Sequence, residues 1–505
     1  MFVSENFTPR EGRMELNNIR TRFAPSPTGL LHFGNANTAV FNWLMARAHN
    51  GTVVLRIEDT DTERSTREFE NKIINDLTWL GITWDEGPDK GGDFGPYRQS
   101  ERTGIYQEQI QKLIDSGSAY RCYCSREQLE QDREIQKENK QNFRYEGRCR
   151  DFTPHDWARL DAEGKPFVIR LRTTGGQAVV VKDLIRGDIV FEPDAIDDFI
   201  FVRSNGEPTF LLTNAVDDSL MKITHVVRGE DHISNTPKQI LILRALGLPV
   251  PQYMHTAIIL GQDKTKLSKR HGAVNVSQFR AQGFVPRAMI NYLAFLGWNP
   301  KDDREFFTLD ELAQNYTMEA MSKNPSIFDY DRLRYLNEYW IAHMDPEQVL
   351  ALVLEFLVHS GLATEQETLD KRAWIKDIVG IMGDRLKTIN DIEELGDYFF
   401  RDFDDYHPKG VKKYFKAATP ENLQLIKEKL IALESFTPET IDHALHEIME
   451  QHELAAAKVI HPLRLALTGK IFGPGLFELT ALLGKDKVIE RIDKAAQWIR
   501  DNKTE

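Results

Sequence analysis

Hydrophobic and polar positions alternate in the first readable stretch of the chain. Ile19, Thr21 and Phe23 are separated by Arg20 and Arg22, the period of two that a short strand shows. Ala24-Pro25-Ser26-Pro27-Thr28-Gly29 then ends that strand, because its prolines and glycine favour turns. After His32-Phe33-Gly34-Asn35 the period lengthens. Ala39, Trp43, Leu44 and Arg47 recur at helical spacing, and Thr52–Ile57 reads as a second strand ending at Glu58-Asp59. Strand, helix, strand is a βαβ unit, the element from which open, doubly wound parallel sheets are made.

The pattern changes over 98–210. A charged, Gln- and Glu-rich helix is expected from Ser125 to about Gln141, followed by strand-like runs at Phe167–Arg172 and Ala178–Val181. This reads as an α+β insertion. Strand and helix patterning returns at 222–247, and from about 304 onward the chain reads as almost wholly helical. Val488, Ile492, Ala495 and Ile499, for example, make one apolar stripe. There are no internal repeats and no long linker composition.

With 505 residues, 41% of them hydrophobic, the chain is too long for one core and calls for roughly three or four domains. No stretch approaches the ~18–20 apolar residues of a membrane span. The first 17 residues read as a polar leader without signal- or transit-peptide character, and Met14 is an alternative start. Three cysteines cannot build a disulfide framework, so a reducing cytoplasm is the expected address. The net charge of −13 speaks mildly against nucleic-acid binding, yet a basic face can sit on an acidic protein.

Two segments carry candidate chemistry. His32 and Gly34 fall at a strand-to-helix junction, where free N–H groups of a helix N-terminus favour phosphate and a glycine admits a nucleotide to the backbone. Lys266-Leu267-Ser268-Lys269-Arg270 puts three cations in five residues, suited to stabilising charge on a leaving pyrophosphate. Taken singly, the first is more often a loop cap and the second a solvated loop.

Together they resemble the class I aminoacyl-tRNA synthetases, and within them the glutamyl enzymes of bacterial type. The resemblance rests on Arg22-Phe23-Ala24-Pro25-Ser26-Pro27-Thr28-Gly29 before His32-Phe33-Gly34-Asn35, and on the Lys-Leu-Ser-Lys-Arg segment. Arg56-Ile57-Glu58-Asp59-Thr60-Asp61, Asn214-Ala215-Val216-Asp217-Asp218, Val227-Arg228-Gly229-Glu230-Asp231-His232 and His461–Gly469 fit at family-like spacing. It spans about residues 19 to 500.

The resemblance implies a ligase that forms glutamyl-adenylate from L-glutamate and ATP with Mg²⁺, then charges the 3′-terminal adenosine of tRNA-Glu. It implies a Rossmann-type catalytic domain at 18–97 and 212–264 and an inserted acceptor-end domain at 98–211. A stem-contact domain at 265–349 and a helical anticodon-binding region at 350–505, split near 411, follow. By resemblance His32, Gly34, Lys266 and Lys269 are catalytic, with Glu230 and Ser268 also at ATP. Arg22, Ala24, Ser26, Glu58, Phe210, Asn214 and Arg228 would bind glutamate. The family usually has tyrosine where Phe210 stands, a loss of one hydroxyl. Arg385 and Arg464 would read the anticodon. His407–Lys416 interleaves cations and aromatics but reads as an ordinary solvated helix start.

All three cysteines fall within 28 positions, which favours metal over chance. Some relatives hold structural zinc with Cys-x-Cys, a later Cys and either an upstream Tyr or a downstream His. Cys122, Cys124, Tyr145 and Cys149 match the first form, whereas the downstream position is Asp151. Glutaminyl-tRNA synthetase and a non-catalytic tRNA-binding relative are the alternatives. A β-barrel C-terminal part would mark the first and lost His32, Gly34, Lys266 and Lys269 the second. A relative that glutamylates a tRNA base and a small-molecule nucleotidyltransferase both lack the helical region. Monomer is the family's habit.

Overall fold

The computed structural model describes residues 18–502 apart from 62, 142, 174, 175 and 302. The polar leader and Met14 lie outside the described residues. The chain forms two compact units. One holds the described residues up to Phe279 together with Met289–Asp329, and the other holds Arg280–Ala288 and the chain from Tyr330 onward.

The first unit is built on parallel strands. β1 (Arg20–Phe23) pairs in parallel with β2 (Thr52–Leu55), joined through helix α1 (Phe33–Arg47) as the alternation predicts. α1 lacks a Ser, Thr, Asp or Asn cap. Instead the His32 ring accepts the Gly34 N–H at 3.1 Å and satisfies one of the helix's orphan donors.

On the other side of β1, Thr224 exchanges backbone and hydroxyl hydrogen bonds with Arg20 and leads into β8 (His225–Gly229). β8 pairs in parallel with β9 (Gln252–Thr256), connected by helix α7 (Thr236–Ala245). Beyond β9 lies an antiparallel hairpin, β5 (Val179–Asp183) and β6 (Gly187–Phe191), where Asp183 of β5 pairs with Tyr253 of β9. The sheet is therefore parallel at its centre and mixed at this edge.

The inserted segment carries its own antiparallel sheet of β3 (Ala119–Cys122), β4 (Val168–Leu171) and β7 (Ile200–Val202). Its charged helix, α4 (Arg126–Glu138), starts at Ser125, which forms a capping box with Gln128. The insertion shares one apolar core with the catalytic sheet. Tyr106, Leu113, Ile169 and Phe201 of the segment are buried with Val54, Val226 and Tyr253. After Pro208-Thr209, helix α6 (Phe210–Leu220) returns the chain to β8.

In the second unit the helical expectation holds. Thirteen-residue Thr419–Ile431 and fourteen-residue Pro438–Gln451 precede a last helix, Lys485–Asp501. Val488, Ile492, Ala495 and Ile499 of that helix are all buried. No helix among the described residues is long and apolar enough to cross a membrane.

Candidate active site

A cavity of about 570 Å³ opens at the carboxyl ends of β1 and β8, where an open parallel sheet places its ligands. Arg22, Ala24, Ser26, His32, Gly34, Glu58, Phe210, Asn214, Arg228, Glu230 and Lys266 all line it, although they come from segments up to some 240 positions apart. Ser268 and Lys269 are outside the lining.

One end of the cavity is a buried network of charges. Arg22 Nε donates to Asp218 Oδ1 at 2.9 Å, and Arg56 reaches the same oxygen at 2.7 Å. Arg56 also donates to Glu58 Oε1 at 3.0 Å, and Asn214 Nδ2 donates to that oxygen at 2.6 Å. Burial pushes the Asp218 carboxyl up, but the two arginines outweigh it and hold it below its ordinary value. For Glu58 the balance is reversed. Burial raises it, and Arg56 and Arg22 only partly offset that. Sequence reasoning quoted Arg56 and Asp218 inside motifs without giving them a task. Their task is to hold Arg22 and Glu58 in place.

Arg228 differs from its neighbours because every hydrogen-bond partner it has is neutral. Thr236 Oγ1 and Gln239 Oε1 each accept from one terminal nitrogen at 2.8 Å, and His255 Nε2 accepts from Nε at 3.2 Å. Burial lowers this guanidinium to about 10, so it stays cationic at neutral pH. Among the described residues no carboxylate lies within ion-pair distance of it. A desolvated cation without a counter-charge is costly, and an anionic ligand removes that cost. Phe210 opens α6 beside this cation-rich end, its ring tilted against His232 at 5.2 Å between centroids.

The opposite end is built from half-buried His32, Gly34 and Glu230 and from exposed Lys266. Because His32 Nδ1 accepts the Gly34 N–H, the neutral ring carries its proton on Nε2 and offers a donor there. Burial, and then the Lys266 charge, hold His32 below its ordinary value. A Cβ at Gly34 would meet only His32 Nδ1, at an ordinary 3.5 Å, so the fold itself does not demand glycine there.

Lys266 is 63% exposed and lies 3.2 Å from Asp231 Oδ2. Glu230 is gripped by Arg186 and accepts the Ile258 N–H at 3.0 Å. Downstream, buried Leu267 anchors the basic loop through its N–H to Ile259 O at 3.0 Å. Ser268 is engaged with the His271 ring through its N–H at 3.0 Å, and Lys269 is exposed. The same ring packs over Gly261, where a Cβ would fall 2.7 Å from it.

The cysteines converge as their spacing predicts. The three sulfurs lie within 4.8 Å of one another, with Cys124 and Cys149 at 3.7 Å. The Tyr145 hydroxyl stands 3.2 Å from Cys122 and 3.7 Å from Cys124. Zn–S bonds of ~2.3 Å in a tetrahedron put sulfurs roughly 3.8 Å apart, so the Cys124–Cys149 spacing and the nearby Tyr145 hydroxyl are compatible with a zinc site. Asp151 faces solvent, 3.7 Å from Arg172, and takes no part.

In the helical unit, Arg464 donates to Pro474 O at 2.7 Å, beside the buried Tyr398 hydroxyl, which has no hydrogen-bond partner among the described residues. Burial lowers the Arg464 guanidinium, and the charge of exposed Arg385 lowers it further. The two arginines therefore share one electrostatic neighbourhood. Lys409, Lys412, Lys413 and Lys416 are exposed, as a solvated helix start would be.

Known proteins match this architecture along its length. Residues 18–335 match the family model of class I tRNA synthetases (E and Q), catalytic domain, and residues 348–496 match an anticodon binding domain. A glutamate–tRNA ligase of Moorella thermoacetica is 44% identical over 96% of this chain and 100% of its own length. A second, from Caldicellulosiruptor saccharolyticus, is 42% identical over 95% and 99%. The crystal structure of a glutamate tRNA ligase from Elizabethkingia meningosepticum in complex with its amino acid superposes with a TM-score of 0.85 at 32% identity. It covers 95% of this chain and 99% of the other. The chain belongs to the class I tRNA synthetases of the E and Q group.

Proposed function

We propose that this chain activates L-glutamate with ATP to glutamyl-adenylate and transfers the glutamyl group to the 3′-terminal adenosine of tRNA-Glu. The observation that carries the reading is Arg228, a buried cation held only by neutral groups at the closed end of the cavity. Glutamate brings a side-chain carboxylate that compensates this charge. Glutamine brings a neutral amide that leaves it uncompensated, which favours glutamate over the glutaminyl alternative. Arg22 assists from β1, and Glu58 takes the α-amino group.

With the amino acid so fixed, its α-carboxylate attacks the α-phosphate of ATP. The His32 Nε2–H and the ammonium groups of Lys266 and Lys269 stabilise the charge that accumulates on departing pyrophosphate. Gly34 leaves room for the nucleotide, while Ser268 and Glu230 complete its binding. Mg²⁺ accompanying ATP would neutralise charge on its phosphates. No covalent protein intermediate is required. Arg464 and Arg385 read the anticodon, where clustered cations beside an unpaired Tyr398 hydroxyl suit a nucleobase and its phosphates.

Cys122, Cys124, Tyr145 and Cys149 would hold one structural zinc, which would tie α4 and the following loop to β3. The enzyme works as a cytoplasmic monomer.

Charging of tRNA-Glu and tRNA-Gln with labelled glutamate, side by side, tests the central reading. Charging of tRNA-Glu alone is expected and supports Arg385 as a discriminator. Charging of both keeps the enzyme and removes that task from Arg385, and charging of neither rejects the function. Elemental analysis of the purified chain should find about one zinc per molecule, lost in C149S.

A further inference from the structure

Arg228 is oriented by residues that lie in none of the sequence motifs. Its Nε donates to Nε2 of His255, a fully buried residue of β9. The other ring nitrogen of His255, Nδ1, lies 2.7 Å from Asp183 Oδ2, and the His255 backbone N–H reaches that same oxygen at 3.0 Å. Asp183 closes β5, and its second oxygen accepts the N–H groups of Ile185 and Arg186 at 3.0 and 2.8 Å. One carboxylate in the hairpin turn thus collects four donors and spends one acceptor on the histidine ring.

The direction of this line follows from hydrogen-bond inventory. The Asp183 carboxylate can only accept, so the neutral ring carries its proton on Nδ1, and Nε2 is left to accept from the Arg228 guanidinium, with the Thr236 hydroxyl also 3.0 Å from that nitrogen. Burial keeps His255 below its ordinary value, and the ring is neutral at pH 7. Arg228 has five N–H donors. Nε is taken by His255, and one terminal nitrogen by Thr236 and Gln239. Only the other terminal nitrogen remains, its nearest acceptor being Asn214 Oδ1 at 3.5 Å, a cavity-lining group.

We propose that Asp183 and His255 are positioning residues for amino-acid recognition: Asp183 fixes the His255 tautomer, and His255 fixes the rotation of Arg228 so that its one uncommitted nitrogen meets the substrate carboxylate. This rests on the reading of Arg228 as the glutamate-binding cation. The hairpin, part of the inserted segment in sequence, is by this reading part of the amino-acid site.

The test is steady-state charging of tRNA-Glu by the full chain and its variants, with KM measured separately for glutamate and for ATP. H255L, which removes the acceptor, is expected to raise the glutamate KM about tenfold or more, as loss of a hydrogen bond to a charged group does. The ATP KM should stay within about twofold, the size of effect expected of a site that keeps its own contacts. H255Q, whose side-chain oxygen can accept from Arg228, should recover most of that affinity. A residue that merely filled space would not separate the two.

D183N, equal in shape, can donate to Nδ1 and reverse the tautomer, so it should also raise the glutamate KM. Unchanged glutamate KM in H255L and D183N, or equal losses in H255Q and H255L, overturns the proposal. Should H255L fail to fold, D183N and the ¹⁵N spectrum of histidine-labelled wild-type chain decide. The signal that disappears in H255Q must report a bare Nε2, and a protonated Nε2 overturns the proposal. R228Q separates the two levels: if it leaves the glutamate KM unchanged, the underlying assignment of Arg228 falls, whatever His255 does.

Discussion

In the function proposed here, the two ends of the cavity solve the same problem, recognition of negative charge, by opposite means. At the amino-acid end Arg22, Arg56 and Arg228 are buried and each is held by several partners. At the phosphate end Lys266 and Lys269 are exposed, and the Lys266 ammonium lies 3.2 Å from Asp231. A buried arginine network cannot adjust to its ligand, because each change of position breaks several hydrogen bonds in a medium of low dielectric. Exposed lysines on a loop lose little by moving. Rigid groups suit the selection of one amino acid, and adjustable ones suit charge that appears only as pyrophosphate leaves.

The sharpest way to break this comparison is to remove one charge from each end. D218N deprives Arg22 and Arg56 of the carboxylate they share, leaving Arg56 with Glu58 and desolvated Arg22 without a carboxylate partner among the described residues. It should cost about 3 kcal/mol of stability, the usual result of breaking a buried ion pair, and appear as a lower denaturation midpoint. K266A should leave that midpoint unchanged and lower kcat for charging about thirtyfold, less than the loss of a buried oxyanion donor because Lys266 is largely exposed. If D218N is neutral, or K266A destabilises the fold, the division between a rigid and an adjustable end is wrong.

The two ends were also unequally legible in the sequence. His32 and Gly34 stand in one short motif and Lys266 in another, each of which alone reads more readily as a loop cap or a solvated loop, so their pairing in one resemblance was needed to suggest a phosphate end. At the amino-acid end the residues come from four distant segments, and only the family resemblance joined Arg22 and Glu58 to Arg228. Asp183 and His255 went unread because a buried His in an apolar strand, Tyr253-Met254-His255, has no signature until β5 lies beside β9. The βαβ unit and the C-terminal stripe were visible because their periods are local. The shared core of insertion and catalytic sheet was not, since it depends on long-range packing of residues such as Tyr106 and Phe201. Convergence of the three cysteines was readable from composition, because a reduced chain has little other use for them so close together.

Phe210 offers a finer probe of the rigid end. It stands where the family pattern has tyrosine, with its ring against His232 and its backbone at the start of α6. F210Y adds a hydroxyl beside the cavity without disturbing the charge network. One additional hydrogen bond is worth about 1 kcal/mol, so the glutamate KM should fall about fivefold while the ATP KM stays put. A rise instead would mean that His232 has taken the space a tyrosine needs, and that this chain binds its amino acid without the hydroxyl.

The smallest expected effect separates the ends without any mutation. Salt screens exposed charges over about 10 Å at 0.1 M and buried ones much less. Raising the ionic strength with a salt that does not compete for Mg²⁺ should therefore weaken ATP binding by about twofold through Lys266 and Lys269, whose attraction acts through solvent. Glutamate itself is charged, but in the proposed site its carboxylate meets Arg228 in a desolvated pocket, and its KM should change less than that of ATP. K266A then sharpens the reading. If the salt dependence of the ATP KM arises at this loop, the variant should flatten it and leave the glutamate profile as it was. Equal salt slopes for the two substrates would place solvent at both ends of the cavity and remove the distinction on which the comparison rests.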